Sequence, residues 1–550
     1  MKNNHLKNIL LIILIAIITS VIFFYQTKKV GFHEDEVYSV VSAVNPINGL
    51  MWAYGDPWET GLPIWLTRQY VTDFVTLSPE NYFNTDSVIE NQESDNHPPF
   101  FYLMVHFSSI LFNGDFSKYT VFVVNIIAFI LSCFVIIGIL KQFNKKDLAF
   151  PTLIFYGLSM GTISMVTFQR MYMLLTFFIL LYFYLTLRIY INNFKISIPM
   201  LIMLGLTTIF GFLTQYFFAI FAFFVVVLML IKMVITRIIN FKKENDNKLL
   251  NALTSIRDIL LYIVCHLVSA VIAINNFKAC VEHLNSSDRG ISNLGNGDYL
   301  SQCWEYVRHL AYAFSINNNY TIILVLALII FFGFVIYLFI KSKEKFMVAL
   351  CIVPSIFYFF VVVYLTSSFQ ELRYMMPILP FISLAFILIL DKLYDDIILP
   401  KYNSQNLKIS VLTCISFVLV LFGFVFSKPL YLYEDYQANL DIAEENKDKS
   451  FVYIYDNFFN HMQSIPEMMI YDKSLIINIA SEYNDEFNFM LNNEELNNED
   501  SYILSIKNYL DNDAIIEQIK NNTDFKNFKL LYESGTSEFD IWNNLYLVSK

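Results

Sequence analysis

The sequence predicts a mainly α fold: a polytopic helical membrane bundle of about eleven spans, with a re-entrant or interfacial helix in its first outer loop and a small α/β domain at the C-terminus. Three observations predict it. Of 550 residues, 56% are hydrophobic and 15% charged, a balance that repeated apolar segments produce. Apolar runs of spanning length recur, and lysine and arginine collect in alternate loops between them. Past residue 428 the runs stop and the charge reverses: Lys428–Lys550 carries 23 acidic and 9 basic residues, against 25 and 28 before it.

A spanning helix needs about 20 mainly apolar residues, because lipid offers the backbone no hydrogen-bond partner. Such runs lie at residues 8–25, 119–140, 148–167, 171–190, 198–213, 215–233, 257–275, 320–340, 346–366, 374–391 and 408–427. The first follows Lys2 and Lys7 and ends in Phe23-Phe24-Tyr25-Gln26, without a small-residue cleavage pattern, so it reads as a retained anchor. The apolar segment 97–112 is shorter and begins with a Pro-Pro turn. If it dips and returns, the cytoplasmic loops hold 19 basic residues and the outer loops before the tail hold 9, as the positive-inside rule expects. If it crosses, every later loop flips and the Lys242–Lys248 cluster faces outward. Lys28 and Lys29, just outside the first span, then read as snorkelling side chains.

This topology puts the tail, residues 429–550, outside the cytoplasm as a domain separate from the membrane part, residues 1–428. Short β-rich runs at Phe451–Tyr455, Leu475–Ile479, Tyr502–Ile506, Lys529–Tyr532 and Phe539–Val548 alternate with polar helical stretches such as Asp513–Lys520, the pattern of a small α/β domain. Cys133, Cys265, Cys351 and Cys414 fall in apolar spans; Cys280 and Cys303 share an outer loop, where a disulfide is open. No phosphate-cradling glycine loop or metal-type cysteine spacing supports cytoplasmic nucleotide chemistry, and nothing points to nucleic acid. Abundant Asn, Lys, Ile, Phe and Tyr point to a bacterial source, which makes the membrane the plasma membrane.

The first outer loop opens with His33-Glu34-Asp35-Glu36 and closes with Asp95-Asn96-His97-Pro98-Pro99-Phe100, placing acids at both of its ends beside the bilayer. Alone, the first cluster reads as a hydrated helix start, where acids favour the positive end of the dipole. Recurrence on one face shifts the balance: Arg170 and Tyr172 open one span from outside, and Glu371, Arg373 and Tyr374 open another. A single boundary arginine is an anchor; two beside acid clusters suit an anion, because guanidinium matches phosphate oxygens bidentately. Asp95 and His97 offer donor atoms suited to a divalent metal ion. The competing reading has Asp95 capping the following helix and His97 packing the Pro-Pro turn.

In their order and common side, these pieces resemble the GT-C superfamily of polytopic glycosyltransferases, in particular the bacterial branch similar to protein O-mannosyltransferases and lipid A aminoarabinose transferases. The matching pieces are Asp35-Glu36 followed by Tyr38, Asp95-x-His97-Pro98-Pro99-Phe100-x-Tyr102, Arg170-x-Tyr172, and Arg373-Tyr374 followed by Pro377 and Pro380. Before Arg170 the chain departs from the usual pattern, with Thr167-Phe168-Gln169 where Gln-Glu-Ala is commoner. The resemblance implies transfer of a sugar from a polyprenyl-phosphate carrier to a lipid, protein or cell-wall glycan acceptor on the outer face. It implies Asp35 as general base, with Glu36 orienting base or acceptor, and two carboxylates this close can hold one pKa near neutrality. Arg373, supported by Arg170, is expected on the carrier phosphate, with Tyr172 and Tyr374 as hydroxyl donors or anchors.

Two other classes stay open. A lipid-linked sugar transporter or flippase should show paired halves and ionisable groups at the bilayer midplane; here no halves match and the charges gather at one surface. A non-catalytic scaffold predicts that the loop acids are dispensable. Intramembrane His266 is expected to bond a neighbouring helix, and His283, Asp288 and Arg289 to lie within reach of an acceptor.

Overall fold

The computed structural model describes the chain except residues 1, 47–64, 244–247, 286–297, 317–320, 367–369, 399–403, 457–459, 481–483 and 536–540. Each of the eleven apolar runs is helical where it is described. Among the described residues nine are single helices of spanning length; the run at 148–167 is instead a pair, Lys146–Gly157 and Met160–Thr167, bent by 67°. The bend falls at Ser159, whose hydroxyl caps the second helix by accepting from Thr162 N. The run at 198 is a shorter helix, Ile198–Thr214. Large apolar side chains such as Ile12, Ile322 and Val425 lie more than half exposed on the outside of the bundle, which is where lipid takes the place of water. The chain is a multi-pass membrane protein.

Loops expected on the cytoplasmic side meet at one end. Lys7 pairs with Asp147 at 2.9 Å, and buried Asp391 gathers Lys145 and, at 2.6 Å, Lys408. At the other end, α1 (Lys2–Lys28) leads into α2 (Glu34–Val44). The segment from His97 onward does not cross. Its helix, Phe100–Ile110, spans 11 residues, about 16 Å, and the chain then turns back. Gly114, at φ +81°, makes that turn: a Cβ there would sit 1.9 Å from the Leu77 carbonyl oxygen, and the Leu77 amide donates to the Gly114 carbonyl at 2.8 Å. Lys118 thereby returns to the end of α1, donating to the carbonyls of Thr27 and Lys29.

The tail forms a six-stranded mixed sheet in the order β1-β3-β2-β4-β6-β5, with β2 (Phe451–Tyr455) central and parallel to both β3 (Lys473–Asn478) and β4 (Ser501–Lys507). β5 (Asn527–Tyr532) and β6 (Asn543–Ser549) complete one edge antiparallel. The opposite edge strand, β1 (Trp65–Thr67), comes from the first outer loop and pairs antiparallel with β3. Loop and tail therefore share one sheet. One face of that sheet buries Phe451, Tyr453 and Tyr455 against Phe32, Val37, Tyr38 and Val41 around and on α2. Cys280 and Cys303 are free thiols, so the loop disulfide does not form. His266 accepts or donates at 2.7 Å to Tyr182 on a neighbouring helix, as expected. Asp288 and Arg289 lie outside the described residues; His283 bonds Tyr216 at 2.9 Å.

Candidate active site

Helix α2 starts where its sequence says it should. His33 accepts from Asp35 N at 3.1 Å while Glu36 accepts from His33 N at 2.8 Å, a capping box that satisfies two otherwise orphaned amides. Glu36 does more than cap. Fully buried, it meets the buried ammonium of Lys29 at 2.9 Å and accepts from Gln169 N at 2.7 Å. Lys29 therefore does not snorkel: the Tyr431 carbonyl takes its remaining reach, and the rings of Phe32 and Tyr433 lie over it. Burial lowers the Lys29 pKa from its ordinary value, against the pull of Glu36.

With Glu36 committed, the two neighbouring carboxylates do not share a proton. Asp35 points to Arg373, with which it forms an ion pair. Burial pushes the Asp35 carboxyl up, but Arg373 and then Arg170 outweigh it and hold it well below the usual carboxylate range. The expectation of a carboxyl poised near neutrality fails here, because two cations rather than a second acid face it. The Asp35 side chain remains 28% exposed, while that of Arg373 is 7% exposed.

Arg170 is the hub. One terminal nitrogen donates to the Asp35 carbonyl at 3.2 Å, the Ser39 hydroxyl at 2.9 Å and the Tyr102 hydroxyl at 3.3 Å. The other lies 3.1 Å from His97 Nε2. Guanidinium only donates, so Nε2 is the acceptor and the imidazole proton sits on Nδ1, donated to Asp95 at 2.8 Å. Burial raises the Asp95 carboxyl, but His97 beside it, the Asn96 amide and Arg170 outweigh that and bring it down to about 2. Asp95 closes the helix Thr85–Ser94 rather than capping the next one.

Arg373 also meets Glu371 at 2.9 Å and the Tyr374 hydroxyl at 3.4 Å. Tyr172 stacks on Phe168 and sets its edge against Tyr374. In the departed segment before Arg170, Asn125 holds the Phe168 carbonyl at 2.8 Å and the Gln169 side chain donates to the Lys118 carbonyl at 2.8 Å. The acid beside this segment comes from Glu36.

All eight predicted site residues thus fall in one connected cluster, in which Arg373, Asp35, Arg170, His97 and Asp95 follow one another as a chain of contacts. Ser39 and Lys29 escaped the sequence reading: a serine inside a helix and a lysine beside a span carry no local signal. Among the described residues no three His, Cys, Asp or Glu side chains form a group that could hold a metal. His97 offers its free nitrogen to a cation already in place, so this pair does not fit a divalent ion while Arg170 stays.

No family model matches the chain, and no curated protein matches it. Among solved structures it is similar to ArnT from Cupriavidus metallidurans bound to undecaprenyl phosphate, at TM-score 0.52 and 10% identity over 98% of this chain and 97% of that one. The apo state of the same protein aligns at 0.51, with the same identity and coverage. The Archaeoglobus fulgidus oligosaccharyltransferase crystallised with Zn and sulfate aligns at 0.44 and 10% identity, over 93% and 71% of the two chains. From end to end the chain shares the fold of ArnT, a polytopic helical membrane protein with a small extramembrane domain.

Proposed function

We propose that this protein is a membrane glycosyltransferase that moves a sugar from a polyprenyl-phosphate carrier to an acceptor hydroxyl or amine at the outer face of the plasma membrane. The observation that carries the reading is the pairing of a partly accessible carboxylate, Asp35, with the buried guanidinium of Arg373, in a fold whose Cupriavidus example holds undecaprenyl phosphate. The lipid, protein or cell-wall acceptor enters over Asp35 beneath the tail, which stands on the extracytoplasmic side.

The chemistry follows from the charges. A carrier phosphate is a stronger bidentate partner for Arg373 than a single carboxylate oxygen. As Arg373 turns to the phosphate, Asp35 loses the cation that suppressed its basicity and becomes able to take a proton. The acceptor oxygen or nitrogen then attacks the anomeric carbon, the bond from that carbon to the phosphate oxygen breaks, and the acceptor proton passes to Asp35. The carrier phosphate departs with its charge on Arg373. One displacement inverts the anomeric centre. Glu36 and Arg170 are positioning residues: the first fixes α2 against Lys29 and Gln169, the second fixes the Asp35 carbonyl, Ser39 and His97. Tyr374 steadies Arg373, and Tyr172 lines the sugar end. Asp95 orients His97; no step passes through a metal.

The test is sugar transfer in membranes from radiolabelled undecaprenyl-phosphate monosaccharides. Wild type is expected to transfer and Asp35→Asn to lose about 100-fold or more, the usual contribution of a general base. Transfer by Asp35→Asn at the wild-type rate would end this reading.

A further inference from the structure

The tail reaches the site through a line of polar side chains that the chemistry above does not use. Lys507 is the last residue of β4, and its side chain is buried. Its ammonium lies over the Tyr453 ring and donates to the Gln463 amide oxygen at 2.7 Å. The Gln463 amide nitrogen donates to Glu34 at 2.7 Å, so both ends of that amide are used and its orientation is fixed. The other Glu34 oxygen lies 3.5 Å from His33 Nε2. His33 Nδ1 accepts from Asp35 N, which puts the imidazole proton on Nε2, aimed at Glu34. Donors and acceptors therefore agree at every link from Lys507 to the backbone of Asp35, and His33 Nδ1 also stands 3.9 Å from the Asp35 carboxylate.

A structural role alone explains this line poorly. A buried ammonium is costly unless paired, and the sheet face around Lys507 is aromatic, where an apolar side chain would pack without that cost. Burial in fact lowers its pKa to about 8, although Glu34, Glu467 and Asp456 all pull upward. The charge is retained two hydrogen bonds away from the residue next to the base. The tail also grips α2 through the apolar face described above, so movement of either carries the other.

We propose that Lys507 and Gln463 of the C-terminal domain are positioning residues for sugar transfer, acting through Glu34 and His33 on Asp35, so that the domain completes the transferase site. This rests on the transferase reading. The experiment uses the full chain, purified in detergent, with the same radiolabelled undecaprenyl-phosphate monosaccharides as donors. Lys507→Met and Gln463→Leu are each expected to lower kcat about tenfold with donor KM within about twofold, to keep the melting temperature and undecaprenyl phosphate binding of wild type, and Lys507→Arg to recover most of the rate. Wild-type kcat in Lys507→Met and Gln463→Leu would overturn the proposal and leave the transferase reading intact. So would a loss of kcat matched by equal losses of melting temperature and carrier binding that Lys507→Arg does not relieve. A wild-type protein that transfers from none of the donors would overturn both.

Discussion

On the proposed mechanism, the ion pair between Asp35 and Arg373 makes donor and base compete for one guanidinium. Removing the carboxylate should therefore free the cation: Asp35→Asn is expected to bind undecaprenyl phosphate more tightly than wild type while losing transfer, whereas Arg373→Ala should weaken that binding by a factor of ten or more, about 1.4 kcal/mol. Titration of each purified variant with the carrier lipid checks both. The pair also stabilises the fold with a definite sign. The folded Asp35 pKa is below the ordinary value, so its contribution is complete above about pH 4 and is lost as pH falls through the folded value. That the residues of this cluster were legible in the sequence owes to their order along the chain and their shared side. Their partners were not. Asp35 meets a residue 338 positions away, and Lys29 looked like a membrane anchor because nothing local signals that Tyr431 and Tyr433 close over it.

Helix α2 carries Asp35 and Glu36, and its fixing point is the buried Lys29–Glu36 pair. Breaking one side leaves the other charge stranded, which typically costs about 3 to 5 kcal/mol. Glu36→Gln should destabilise by that order, and Lys29→Met with Glu36→Gln should recover a large part; thermal melts of the two variants measure it. In the tail, the helix Ile465–Met468 presses Glu467 into the core, where burial raises its carboxyl to about 7. A raised acid holds its proton in the fold after the unfolded chain has released it, so stability falls as pH climbs from about 4.3 and levels off above the folded value. Glu467→Gln is expected to increase hydrogen-exchange protection of the β2 and β3 amides by about 3 kcal/mol at pH 8 and to change nothing near pH 4. Element types were read correctly from the length of the apolar runs and, in the tail, from the short β-rich ones. The bend at Ser159 escaped, because an unbroken apolar run conceals a cap in its middle.

For the whole molecule, the charge asymmetry of the loops foretold which ends meet. Cysteine placed at Ser94 should react with an impermeant maleimide from outside intact cells, and cysteine placed at Lys343 only after the membrane is opened; the reverse pattern would invert the topology. What the sequence concealed was that the tail is not a separate cap. The strand Trp65–Thr67 lies in a stretch with no periodic signal, three residues long, and only its partner β3 makes it a strand. This donated edge strand has a consequence for biogenesis. The ribosome releases residues 65–67 early, but their mate follows roughly 400 residues later, a wait of about 20 to 80 s at ordinary elongation rates. Throughout that interval α2 lacks the sheet face that packs on it, and a copy cut short by a premature stop codon never gains one. Immature or truncated chains would thus sit in the bilayer with the outer end of α2 uncovered, and the arrival of the last hundred residues would be what completes that end of the molecule.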